Sequence, residues 1–152
     1  MAWIPITKAN LYDAKVGALI DACDTAALGQ GQSSRAADLI QSVVDDIRRK
    51  VASCRRNRLD QDITMIPKGL RDTAVDLIIA RLKTAIEIDL TEDERRNVAR
   101  RAQDLNRIAN GDDVVDQPDN PVPSSETMQG GTSVQFKASP RKATGGKLGG
   151  LI

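Results

Sequence analysis

Between Pro67 and Ile88 the chain reads PKGLRDTAVDLIIARLKTAIEI, a stretch apolar on most of its helical circumference. Leu70, Ala74, Leu77, Ile78 and Ala85 recur at helical spacing, and Val75, Ile79, Leu82 and Ile86 add a second stripe beside the first. A helix of this kind must be covered by several neighbours, so it reads as the central helix of a bundle. Pro67 suits its first turn, where a missing N–H costs nothing. Asp72, Asp76, Arg81 and Lys83 interrupt the apolar surface. Burying such charges requires pairing, and they read as a narrow solvent-facing strip.

The rest of the composition agrees with packed helices. Aromatic residues make up 2% of the 152 residues, so the core is built from Ala, Leu, Ile and Val, which suits packed helices better than a sandwich with its usual share of aromatic residues. Charge is dense but balanced, with a formal net of +1, which does not predict a nucleic-acid or membrane-surface protein as a whole. There are no histidines, which removes the commonest general base and metal ligand together. Cys23 and Cys54 fall within predicted helices rather than at metal-ligand spacing and read as reduced, buried core residues. GQGQSS lacks the lysine and preceding strand of a phosphate-binding loop, and adjacent carboxylates such as Asp45–Asp46 point apart on a helix. No catalytic, cofactor or metal site is therefore expected, and the chain does not read as an enzyme. Neither a leader sequence nor a membrane span is visible, so the chain is expected in the cytoplasm where it is made, with no membrane partner.

In chain order, MAWIPI reads as extended, and Thr7 offers an N-cap to a helix starting near Lys8 and running to Asp24 or Leu28. Leu11, Ala14, Ala18, Leu19, Ala22 and Cys23 give its apolar face, with Trp3 and Ile4 packing back on its first turns. After a loop at Gly29–Ser34, Ser33 or Ser34 caps a second helix running to about Cys54. Its stripe is Ala36, Leu39, Ile40, Val43, Val44, Ile47, Val51 and Cys54, with Asp38, Gln41, Asp45, Arg48, Arg49 and Lys50 on the opposite face. Cys54–Pro67 is a connection carrying the basic residues Arg55, Arg56 and Arg58 and docking Ile63, Met65 and Ile66. Thr91 and Glu94 form a capping box for a last helix, buried through Val98, Ala102, Leu105 and Ile108 or Ala109 and closed by Gly111. Arg95, Arg96, Arg100, Arg101 and Arg107 form its outer face, either solvated and i,i+4-paired (Glu92 with Arg96) or turned to a partner.

Composition changes at Gly111. Residues 112–152 are rich in Asp, Pro, Ser, Gly and Lys, too polar to offset their own ordering entropy. The expected architecture is thus all-α: a small bundle of about four helices over 1–111, followed by a long extended carboxy-terminal arm over 112–152. Within the arm TSVQFKA alternates as a strand does, with Val134 and Phe136 on one side and Lys137, Arg141 and Lys142 following.

The order of parts resembles the head–tail connector (adaptor) family of siphophages and Mu-like phages. It lies in ITKANLYDA, SSRAADLIQSVVDDIRRKVAS, CRRNRLDQDITMIP, LRDTAVDLIIARL and TEDERRNVARRAQDLNRIANG, over roughly residues 5 to 111. The arm departs from the family's shorter forms. The resemblance implies a structural virion protein, assembled in the host cytoplasm, that forms a homo-oligomeric ring of typically twelve subunits under the portal. Such a ring extends the channel for packaged DNA without sequence-specific binding and presents a platform to a stopper or tail-completion protein. In that setting Arg55, Arg56, Arg95, Arg96, Arg100 and Arg101 are expected at subunit interfaces. The segment holding Val134, Phe136, Lys137, Arg141 and Lys142 is expected to dock on the portal or a neighbour, adding a strand to an exposed sheet edge. Two other readings compete: a small helical DNA-binding packaging or regulatory protein using the arginine face, and a scaffolding factor absent from finished particles.

Overall fold

The computed structural model describes residues 1–12, 16–28 and 35–123. Strand β1 (Trp3–Pro5) leads to helix α1 (Val16–Leu28) and helix α2 (Arg35–Ser53). Strand β2 (Met65–Pro67) then precedes helices α3 (Arg71–Ala85) and α4 (Glu92–Asn110). The fold is a small, mostly helical bundle. Met1–Val122 form one compact unit. The proposed docking residues Val134, Phe136, Lys137, Arg141 and Lys142 lie outside the described residues.

The first helix starts later than its sequence pattern suggests. Thr7 opens a 3-10 turn at Ala9–Leu11, with its Oγ1 accepting from the Asn10 N–H at 3.4 Å. Tyr12 then leaves helical geometry (φ −76°, ψ 69°), and its hydroxyl donates to the Asp21 carboxylate. Starting at Val16 selects a different stripe, Val16, Ile20, Cys23 and Ala27, and leaves Ala18 and Ala22 exposed. Val16 and Ile20 are the large aliphatic side chains buried there, as transfer free energy favours, while Leu19 is half-buried and Leu28 exposed.

Helix α2 buries Ala36, Ile40, Val43, Val44, Ile47 and Val51, as its spacing predicts. Its start is held from a distance: Asp24 of α1 accepts from the Ala36 N–H at 3.0 Å and pairs with Lys8. These contacts, the Lys8 hydrogen bond foremost, hold the Asp24 carboxyl below the usual carboxylate range. Arg48, read above as exposed, is buried (8% exposed). Its guanidinium donates to the carbonyls of Asp60 (2.7 Å), Asp62 (2.9 Å) and Met65 (2.7 Å). The irregular connection after α2 turns these carbonyls inward, where they need a donor, and one planar fork supplies it. Burial lowers the Arg48 pKa from its ordinary value, but a guanidinium remains charged.

Strands β1 and β2 pair antiparallel, Trp3 with Pro67, Ile4 with Ile66 and Pro5 with Met65. Pro67 therefore closes a strand (φ −54°, ψ 133°), and α3 begins after a 3-10 turn at Lys68–Leu70 rather than at the proline. Ile66 and Pro67 are fully buried and Met65 half-buried, but Ile63 is 64% exposed. Asp62 Oδ1 accepts from both the N–H and the hydroxyl of Thr64 at 2.8 Å. This side-chain turn leaves Ile63 on the outside.

Helix α3 packs on α1, α2 and α4 and buries Ala74, Ile78 and Leu82 completely. The strip of charges divides. Asp72 and Arg81 are exposed, whereas Asp76 and Lys83 are half-buried and paired with Arg101 (2.8 Å) and Glu94 of α4. Helix α4 has the predicted capping box at Thr91–Glu94 and the left-handed Gly111 (φ 84°) at its end. Leu105 and Ile108 are buried, Val98 is half-buried, and Ala102 is exposed. Both α3 and α4 end in the same double hydrogen-bond pattern. In α4 the Asp112 N–H donates to the Arg107 carbonyl and the Gly111 N–H to Ile108. In α3 the Ile88 N–H donates to Lys83 and the Glu87 N–H to Thr84, with Glu87 at φ 59° in the glycine position.

The folded unit does not stop at Gly111. Val115 and Pro118 are buried, and the Trp3 Nε1–H donates to the Asp116 carbonyl at 2.7 Å. The Gln61 N–H donates to Asn120 (3.0 Å) and the Val122 N–H to Leu59 (2.8 Å). Residues 112–122, assigned above to the arm, are held chiefly through backbone bonds to the connection, to which hydropathy is blind. Cys23 is buried, Cys54 is half-buried, and both are free thiols.

Candidate interaction surface

The apolar surface of α3 is only partly covered. Leu77 and Ile79 stay half-buried, because α4 closes on α3 unevenly. Its second half is anchored by Leu105 and Ile108, but no residue between Glu92 and Asp104 is buried. That first half is held to α3 by the Lys83–Glu94 and Arg101–Asp76 ion pairs instead of by apolar packing. The result is an open groove of about 560 Å³ whose apolar lining includes Leu39 of α2, Leu77 and Ala80 of α3, and Leu90 and Val98 beside them. Arg35 and Arg81 are its charged lining residues. Arg81 is itself braced by Asp46 and by the Ser42 hydroxyl, to which it donates at 2.6 Å. A smaller hollow, between Asp76, Ile79, Asn97 and Glu94, shares Ala80, Leu90 and Val98 with it.

The arginines expected at interfaces do not form one patch. Arg95, Arg96 and Arg100 are exposed on the first half of α4, with Arg96 paired to Glu92 at 3.3 Å, the predicted i,i+4 contact. Arg101 points the other way, to Asp76. Arg55 and Arg56 are exposed just beyond α2. They lie near the far end of α4, where an added Cβ on Gly111 would stand 3.5 Å from the Cys54 sulfur. Sixteen helical steps of about 1.5 Å separate Arg95 from Gly111, or roughly 24 Å.

Sequence reasoning did not single out the groove, and it read Ile63 as docked on the domain, whereas the side chain is 64% exposed. The signal for the groove was present in the surplus apolar circumference of α3, more than three helices cover. Among the described residues no cluster of three or more Cys, Asp or Glu is arranged to hold a metal ion, and no helix is long and apolar enough to cross a membrane. The groove lining is mostly apolar, with Arg35, Arg81 and Thr84 as its polar members. Comparison with protein-family models, curated proteins and solved structures returns no match.

Proposed function

We propose that this chain is a structural, non-enzymatic head–tail adaptor. In this reading it assembles into a ring of about twelve copies under a phage portal, extends the channel for packaged DNA, and carries a stopper or tail-completion protein. The order of its parts suggests this family. The observation that carries the reading is the open groove beside an otherwise closed core. A subunit that leaves Leu77, Leu90 and Val98 in a continuous apolar depression has surface to cover by association. The pairing of Arg96, Arg101 and Arg107 with Glu92, Asp76 and Asp113 weakens the competing duplex-binding reading, since those charges already have partners.

Mass photometry of the protein, alone and mixed with the portal protein of the same virus, tests the proposal. A mass near twelve subunits, or a ring that forms only on adding portal, is the expected result. A monomer that ignores portal but binds duplex DNA with a steep salt dependence would overturn it.

A further inference from the structure

Two exposed apolar features lie on opposite flanks of α2. The groove holds Leu39, and its Arg81 reaches Ser42 and Asp46. Ile63 sits on the other side, where the Gln41 side chain donates to the Ile63 carbonyl at 3.2 Å. Leu39 and Gln41 are two residues apart, about 200° around the helix. The two features are complementary as well as opposed. Ile63 is a 64% exposed aliphatic side chain next to the exposed carboxylate of Asp62, and the groove is apolar with arginines as its charged lining. The hydrogen bonds from Thr64 hold the Asp62 carboxyl below its usual range, so it is an anion at neutral pH. Arg48 fixes the backbone beneath this projection by binding the Asp62 and Met65 carbonyls. The knob is therefore presented rigidly, which lowers the entropy cost of docking it.

We propose that the groove is occupied by a second copy of this chain: Ile63 of one copy inserts between Leu39, Leu77 and Val98 of the next, with Asp62 facing Arg35. A knob and a hole on opposite flanks make a head-to-tail contact, which repeats from copy to copy and closes into a ring when the rotation permits. The inference deepens the adaptor reading and rests on it, since it names the contact from which the ring would be built.

The test uses full-length protein in a Cys54→Ser background, leaving the fully buried Cys23 in place. One preparation carries Ile63→Cys and the other Val98→Cys; the two are mixed under mild oxidation. Disulfide-linked dimers joining one preparation to the other are expected in the mixture and absent when Arg49→Cys replaces Ile63→Cys. Independently, Ile63→Asp should raise the concentration needed for ring assembly by roughly tenfold or more, with unchanged circular dichroism because the side chain is exposed. Rings that still form with Ile63→Asp at the wild-type concentration, without the crosslink, would overturn this contact and leave the adaptor reading standing. Absence of any ring, with or without portal, would overturn both. Crosslinking of Val98→Cys to Phe136→Cys in place of Ile63→Cys would assign the groove to the carboxy-terminal segment and also overturn the contact.

Discussion

The Arg48 guanidinium lies over the indole of Trp3, 5.9 Å from the ring centroid. This contact joins the middle of α2 to the amino-terminal strand, while the same guanidinium binds three carbonyls of the connection. One buried cation thus ties α2 both to the amino-terminal strand and to the connection that leads into β2. Replacing Arg48 with Ala leaves those carbonyls without a donor and should cost about 3 kcal/mol in urea unfolding. Arg48→Lys should recover little of that, because an ammonium cannot reproduce the planar fork. Arg49→Ala, next door but exposed, should stay within about 0.5 kcal/mol of wild type. Equal effects at 48 and 49 would contradict this account.

Residues 112–122 should contribute to stability although their composition is that of a linker. A chain ending at Gly111 loses the Asp116 acceptor and the backbone pairing to Leu59 and Gln61. Its single tryptophan, 2% exposed in the intact unit, should emit at longer wavelength. A chain ending at Pro123 should keep both the emission maximum and the urea midpoint of the full-length protein. Identical spectra for the two truncations would refute this.

The two matching helix ends give a pair of predictions of opposite sign. Gly111→Ala should destabilise by about 1 kcal/mol, since a side chain at φ 84° is strained. The added Cβ would meet Cys54 at an ordinary 3.5 Å, so the cost lies in the backbone. Glu87→Gly relieves the same strain at φ 59° and should stabilise by up to about 1 kcal/mol. Thermal melts of the two variants should move in opposite directions.

Acid should weaken the junction of α1 and α2 through Asp24. Its folded pKa lies below the unfolded value because Lys8 and the Ala36 N–H favour the charged form. The stabilisation is therefore fully present above the unfolded value, about 3.9, and is lost as pH falls through the lower folded value. Asp24→Asn keeps an oxygen for the Ala36 N–H but removes the charge. Wild type should be the more stable protein at pH 6, and the difference should shrink steadily below about pH 4. A difference independent of pH would mean that the ion pair contributes nothing.

The local signals of α2 and of both ends of α4 were read correctly, whereas the start of α1, the place of Pro67 and the long-range contacts were not. The capping box at Thr91–Glu94, the glycine at 111 and the buried stripe of α2 are each specified within a few residues, so the sequence pattern alone locates them. Arg48 follows the spacing of an exposed position, and nothing near it in sequence announces that the connection will bring three carbonyls to it. Ile63 has the hydropathy of a core residue, but the Asp62–Thr64 turn faces it outward. The pairing of Val122 and Asn120 with the connection is made by main-chain atoms, which every sequence has. The groove falls between these cases: the apolar excess of α3 was legible, but which side α4 would leave open depended on the Asp76–Arg101 and Lys83–Glu94 pairs.

The bond from the Trp3 indole to the Asp116 carbonyl spans 113 positions of sequence, and it gives the protein a timetable. During synthesis the amino-terminal strand can find β2 once Pro67 has emerged from the ribosome, but its indole N–H has no acceptor until Asp116 follows. Contacts of such separation carry a large loop-closure cost and are slow to form. The strand that holds Trp3 is therefore among the last parts to be finished, and a subunit stalled before Asp116 would leave that tryptophan without the hydrogen bond that secures it.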